Sequence, residues 1–410
     1  MTKGLLVTGA TGFLGGAVIA ELISTPHWPR VLMLVRARNR SEGRARIIEN
    51  LQKFNVPAGC CFLVQDDQIM CADITRFDAI QSDPRLRSVS HVIHCAALAT
   101  FSDNPRLWPI NVEGTIALAR ILRTQSPLER FVHVGSSMAC GMQAPSPVSE
   151  SYDPGTQAIH AVRYTESKAA CEERLRRELP DLPLVVVRPS IIVGHTRLGC
   201  RPSPSIFWVF RAAATLQRFT CDLDQRIDVI PVDYCANAIV HLALKRSLAF
   251  SLYHISAGPQ ASSTYGEICD ALAPAISTRA AKAYRRVDYG QLAAMQNKFE
   301  GLFGPGNNRV LLRALRLYGE FAALGITFSN DRSIAEGVAL PTPFARYAEL
   351  CARTACNSSV FEQMKSDFKG ASFIENATVS SADSNSDTPA QKAGIKPGAS
   401  RTRKATSTAT

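Results

Sequence analysis

Three glycines in the stretch VTGATGFLGG, Gly9, Gly12 and Gly15, follow a short apolar run and open a longer amphipathic one. That order suits a chain that must hold a pyrophosphate. Gly9 permits a tight turn, Gly12 lets a phosphate approach the backbone, and Gly15 lets the next helix pack on the strand. The helix N-terminus then turns unpaired N–H groups toward the anion. Thr11, Phe13 and Leu14 belong to the same loop and join the expected cofactor-binding set. A second phosphate-directed feature lies in LVRARNR, where Arg36, Arg38 and Arg40 stand directly behind the strand-like VLMLV. A dehydrogenase built for NAD usually carries an acidic residue there, which accepts from the ribose hydroxyls and repels a 2′-phosphate. Arg36 reverses the preference, because a guanidinium grips a phosphate through paired hydrogen bonds. The sequence therefore predicts NADP(H), with Arg46 on the next helix assisting; Arg38 and Arg40 read as solvated.

The loop spacing T-G-x-x-G-x-x-G, with its phenylalanine and leucine, resembles the extended short-chain dehydrogenase/reductase superfamily. That resemblance implies hydride exchange with a nicotinamide cofactor, and it demands a tyrosine and a lysine four residues apart on one helix. YTESK supplies Tyr164 and Lys168. The spacing puts both side chains on one face. The Lys168 ammonium is expected to favour the Tyr164 phenolate and to bring its pKa toward neutrality, making a usable proton donor and acceptor. The resemblance also requires a serine or threonine at the end of the fifth strand, bonded to the substrate oxygen. RFVHVGSSMACG offers Ser136, which aligns with the family's threonine, and Ser137 as the alternative. Neighbouring strand residues alternate faces, so only one can enter the site.

Further matches follow in family order. Asp73 and Ile74 of CADI fall where the family contacts the adenine, and Ala96 and Ala97 of HCAA line the cofactor cleft. Asn111 of INVEGT matches the asparagine of the next helix, and Pro189 and Ser190 of VVRPSIIVG match the segment over the nicotinamide. Within the superfamily, LVRA, RPSIIVGHTRLG and IDVIPVDYCANAIVHLA resemble the male-sterility, fatty acyl-CoA reductase and thioester reductase branch. That kinship implies reduction of an acyl thioester, carried on coenzyme A or a carrier protein, to an aldehyde or alcohol. Ser136 and Tyr164 would hold the developing oxyanion. The alternatives are a ketone reductase or hydroxysteroid-type dehydrogenase, a nucleotide-sugar epimerase or dehydratase, and a non-catalytic NADP-binding sensor. The resemblance covers about residues 3 to 260.

The elements that position these residues alternate. GLLVTG, VLMLV, HVIHCAA, RFVHVGSS and LPLVVVRP read as strands buried on both faces. GGAVIAELIS, NVEGTIALARILRT and YTESKAACEERLRREL carry the spacing of amphipathic helices. Strand and helix in repetition predict an α/β fold, a doubly wound parallel-sheet Rossmann architecture. Residues 1–190 are expected to form the NADP-binding domain, its core also taking in about 225–260. Residues 191–372 are expected to form a smaller, mostly helical substrate region, and the Ser-, Thr- and Ala-rich stretch 373–410 a disordered tail. Phe207, Trp208 and Phe210 on one predicted helix serve either as core or as an acyl pocket.

The chain has 410 residues, of which 46% are hydrophobic and 20% charged, and this composition predicts a soluble globular protein. No apolar run reaches a membrane span, since LPLVVVRPSIIVG is cut by Arg188 and Pro189. The early glycines argue against a signal peptide. Twelve cysteines without a C-x-x-C pair read as reduced core thiols of a cytoplasmic protein. The net charge of +11 is compatible with nucleic acid, a membrane surface or a phosphate-bearing ligand, and charge alone does not choose among them. No nucleic-acid recognition motif accompanies it, and the expected chemistry calls for no metal.

Overall fold

Aliphatic and β-branched runs too short for helices build the centre of the molecule. In the computed structural model, which describes residues 3–102, 104–276 and 284–367, seven strands form one sheet. They are β1 (Gly4–Thr8), β2 (Val31–Val35), β3 (Ile69–Cys71), β4 (Val89–His94), β5 (Arg130–Val134), β6 (Leu184–Pro189) and β7 (Leu252–Ile255). The spatial order is β7-β6-β5-β4-β1-β2-β3, and every neighbouring pair is parallel. The chain winds outward from β1 to β3 and then crosses to β4 on the other side. A crevice opens at such a reversal, at the carboxyl ends of the strands.

The sheet is buried on both faces because alternate residues feed two cores. Val7, Met33, Ile93, Val132 and Val187 pack with α1 (Phe13–Leu22) and with the helix Val232–Leu244. Leu6, Leu34, Val92 and Phe131 pack on the other face with α3 (Thr115–Gln125) and α4 (Arg163–Glu178). Between β2 and β3 runs α2 (Arg40–Lys53), capped by Asn39, whose side chain accepts from the Glu42 N–H at 2.9 Å. The doubly wound architecture is thus the one that strand–helix alternation predicts.

Beyond the sheet the chain is mostly helical, as expected. The aromatic-rich segment forms α5 (Phe207–Leu216), α6 is the helix Val232–Leu244 already met, α7 spans Asn308–Ala323 and α8 spans Ala348–Thr354. Asn307 caps α7 by accepting from the N–H groups of Arg309 and Val310, each at 3.1 Å. Leu311, Leu315 and Tyr318 of α7 are buried at helical spacing, so this helix covers apolar surface rather than standing free. All twelve cysteines are free thiols and eight are buried, in keeping with the core reading. Among the described residues no helix is long and apolar enough to cross a membrane. The expected tail, 373–410, lies outside the described residues.

Candidate active site

The crevice at the strand ends deepens into a cavity of about 1020 Å³. Its first wall is the glycine loop. Gly9 has a positive φ of 74°, and a side chain there would meet the Ala96 nitrogen at 2.7 Å. At Gly15 a Cβ would overlap the Gly9 carbonyl oxygen outright. Thr11, Gly12, Phe13 and Leu14 complete this wall, with Ala96 and Ala97 opposite. A side chain that the sequence reading missed secures the loop. Asn50 of α2 donates to the carbonyls of Ala10 and Gly12, both at 3.1 Å. Its signal was present: Ile47, Asn50, Leu51 and Phe54 follow helical spacing, and only one of them is polar. Asn50→Ala is expected to weaken dinucleotide binding about tenfold through the two lost hydrogen bonds. A fluorescence titration with NADPH checks this, and unchanged affinity would show that the loop holds its shape unaided.

Where β2 and β3 end, Arg36, Arg46, Asp73 and Ile74 line the cavity, joined by Arg106, which the sequence did not single out. Arg46 donates to the Arg36 carbonyl, so the two arginines share one corner. Arg38 is instead bound to Glu42 at 2.8 Å and points to solvent. Asp73 accepts from the Thr75 backbone at 2.9 Å and hydroxyl at 2.7 Å, which fixes its carboxylate at the rim.

At the other end of the cavity Ser136, Tyr164, Lys168, Pro189 and Ser190 share a wall. Ser136 is extended at the exit of β5, whereas Ser137 is fully buried and donates to the Arg188 carbonyl at 2.8 Å. Ser136 thus lines the cavity, while Ser137, the first residue of the turn after β5, is directed into the core. Lys168 donates from Nζ to the Val134 carbonyl at 2.7 Å and lies 5.9 Å from the centre of the Tyr164 ring. Burial lowers its pKa. Burial also pushes the Tyr164 phenol up to about 12. This departs from the expected phenolate near neutrality. The ammonium donates to the Val134 carbonyl, and burial is what moves the phenol.

Asn111 is placed differently from the other matched residues. It is buried behind the cavity and outside its lining. Its side-chain oxygen accepts from the Leu98 N–H at 2.7 Å, and its amide donates to the Leu98 carbonyl at 3.2 Å and the Ser167 hydroxyl at 3.1 Å. It thereby ties the loop after β4 to α4, the helix bearing Tyr164. Beneath this region Thr8, His94 and Thr115 form a buried chain, with contacts of 2.8 and 2.9 Å. Burial brings His94 down to about 3, so the ring is neutral.

The remaining volume is apolar and aromatic. Phe101 lies 6.1 Å from Tyr164, 5.1 Å from Tyr318 and 5.4 Å from Phe321, centre to centre. Phe210 of α5 lines the cavity, whereas the fully buried Phe207 and Trp208 belong to the core. The expected aromatic helix thus divides between core and cavity lining. Asp228 also faces this region, buried, its carboxylate accepting from the N–H groups of Ala257 at 2.8 Å and Phe328 at 3.0 Å. Asp228, Tyr318 and Phe321 lie in stretches where the sequence offered no cavity signal.

With that geometry in place, comparison with known proteins narrows the kinship. Residues 7–239 match the family model described as male sterility protein. The non-canonical nonribosomal peptide synthetase hkm10 of Aspergillus hancockii is 26% identical, over 61% of this chain and 25% of its own length. The fatty acyl-CoA reductase wat of Drosophila melanogaster is 25% identical, over 58% of this chain and 53% of its own. The chain thus spans about a quarter of the first relative and about half of the second. Among solved structures, the terminal R domain of the myxalamid PKS-NRPS pathway superposes with a TM-score of 0.70. It is 20% identical, and the superposition covers 87% of this chain and 91% of that domain, a likeness of fold.

Proposed function

The chain belongs to the male sterility protein family, and from that premise we propose that it is an NADPH-dependent reductase of acyl thioesters. The observation that carries the reading is that Ser136, Tyr164 and Lys168 line the same cavity as the glycine loop and two arginines. The loop suits a dinucleotide: a Cβ at Gly9 or Gly15 would collide with neighbouring backbone, so glycine alone keeps the tight strand-to-helix turn on which a pyrophosphate can sit. Gly9 to Gly15 would hold the pyrophosphate, Asp73 and Ile74 the adenosine, Arg36 and Arg46 the 2′-phosphate, and Ala96, Ala97, Pro189 and Ser190 the nicotinamide side. Asn111 would act from behind by fixing the Leu98 loop.

When bound, the cofactor supplies the hydride. Ser136 and Tyr164 hydrogen-bond the thioester carbonyl oxygen, and Tyr164 gives its proton as negative charge develops there. A phenol at about 12 is neutral across the working range, which is the proton-bearing form that reduction requires. Lys168 places a positive charge beside the ring and is held in place by the Val134 carbonyl. The product of the step is a hemithioacetal, whose collapse breaks the C–S bond and releases an aldehyde and a thiol; a second cycle gives the alcohol. The aromatic chamber of Phe101, Phe210, Tyr318 and Phe321 would take the acyl group, and the thiol portion would belong to coenzyme A or a carrier protein.

The test is substrate-dependent NADPH oxidation with acyl-CoA thioesters set against simple ketones and aldehydes. Thioester turnover with release of one free thiol per aldehyde formed is expected. Turnover of ketones and never of thioesters would overturn the substrate class while leaving the nicotinamide chemistry in place.

A further inference from the structure

The mechanism leaves one buried charged pair without a task. Glu172 is 1% exposed and Arg188 5%. Arg188 donates from Nη2 to Glu172 Oε2 at 2.7 Å and from Nε to both carboxylate oxygens, at 3.0 and 3.2 Å. Glu172 follows Tyr164 and Lys168 at successive four-residue steps, so helical periodicity puts all three on one stripe of α4. Arg188 adjoins Pro189 at the end of β6. The pair occupies a notch beside Gly135, where any Cβ would overlap the Glu172 carboxylate. Gly135 stands between Val134, whose carbonyl receives Lys168, and Ser136 on the cavity wall. From the other side Ser137 donates to the Arg188 carbonyl and pins the same turn.

A buried ion pair is a weak source of stability, because desolvation of both charges offsets their attraction. Its placement here suggests another role. We propose that the Glu172–Arg188 pair is the positioning device of the site, setting Ser136 at the exit of β5 against Tyr164 and Lys168 on α4; this rests on the reductase reading above. The pair joins the two elements that carry the reacting residues, α4 through Glu172 and the β5 exit through Gly135, to β6 through Arg188. It also sets the charge around Lys168. Facing that ammonium are Cys171 and Glu172 on its own helix, Cys95 after β4, His94 on β4 and His133 on β5. Burial holds both histidines neutral. Glu172 is the carboxylate among these groups.

The deciding variant changes both members together, Glu172→Leu with Arg188→Met, because removing one alone strands a buried charge and endangers folding. The double variant is expected to unfold cooperatively and to bind NADPH as the parent does, with KM little changed. Its kcat should fall about 10²-fold, the scale of a small misplacement of reacting groups. Amide exchange over residues 134–138 should run about tenfold faster. Arg188→Lys, which keeps both charges and loses the two-nitrogen grip on Glu172, should show a smaller loss of kcat. A folded double variant with the parent's kcat overturns the proposal, as does exchange over 134–138 unchanged from the parent. Should the double variant not fold, the same two readouts on Arg188→Lys, which strands no charge, decide in its place. If the parent reduces no thioester, the reductase reading fails on its own account, and the exchange measurement still decides the positioning role.

Discussion

Tyr164→Phe is expected to lower kcat for thioester reduction about 10²- to 10⁴-fold, with KM and NADPH affinity little changed. The substitution removes one oxygen and leaves the ring where it is, 6.1 Å from Phe101 and beneath Lys168. What disappears is the proton donor to the developing oxyanion, leaving Ser136 as the hydrogen-bonding partner. The pH profile adds a second check. Burial places the phenol at about 12, so its neutral form persists well above pH 7 and is lost only as the pH approaches that value. Reduction should therefore show no alkaline decline near neutrality that depends on Tyr164. A limb centred near pH 7 in the parent and absent in the variant would mean that the phenol ionises there, against the burial argument. Steady-state kinetics of both proteins across the alkaline range separate the two. Equal kcat in parent and variant would instead revive a non-catalytic, NADP-binding role.

The sheet and the glycine loop were legible because they depend on local chemistry. Aliphatic runs bounded by glycine form strands wherever both faces are covered, and Gly9 and Gly15 are forced by contacts within a dozen residues and one neighbouring strand. The choice between Ser136 and Ser137 was less local: both lie beyond the end of β5 at Val134, and it is the turn Ser137–Cys140 that buries Ser137 while Ser136 lines the cavity. Three features were not legible, each for a physical reason. Asn50 acts on a loop forty positions earlier, and its sign was a lone amide in an apolar helix stripe. The chamber of Phe101, Tyr318 and Phe321 is assembled by α7, more than two hundred residues after Phe101, so no local period announces it. The direction of the Tyr164 shift was not legible because spacing reports that Lys168 is near, but not how deeply the phenol is buried. Burial then dominates.

Arg36→Asp is expected to reverse cofactor preference. Arg36 lies exposed where β2 ends, at the rim of the cavity and in the corner it shares with Arg46. A charge-assisted bond of the kind a guanidinium makes to a phosphate contributes roughly 1.5–3 kcal/mol, so its loss should raise the Kd for NADPH about 10- to 100-fold. An aspartate adds repulsion toward the 2′-phosphate and accepts from the ribose hydroxyls of NADH, so NADH binding should hold or improve. Arg46→Ala should produce the same sign with a smaller size, since Arg46 is partly occupied by the Arg36 carbonyl. Arg38→Ala should change neither cofactor, because its partner is Glu42 and its side chain is 89% exposed. Fluorescence titrations with both cofactors at one fixed ionic strength test the series, because exposed charge pairs weaken as salt rises. Equal losses for NADPH and NADH in Arg36→Asp would refute the 2′-phosphate assignment. They would make the arginine a general anchor of the loop instead, and the cofactor preference would then have to come from Arg46 or Arg106 across the same rim.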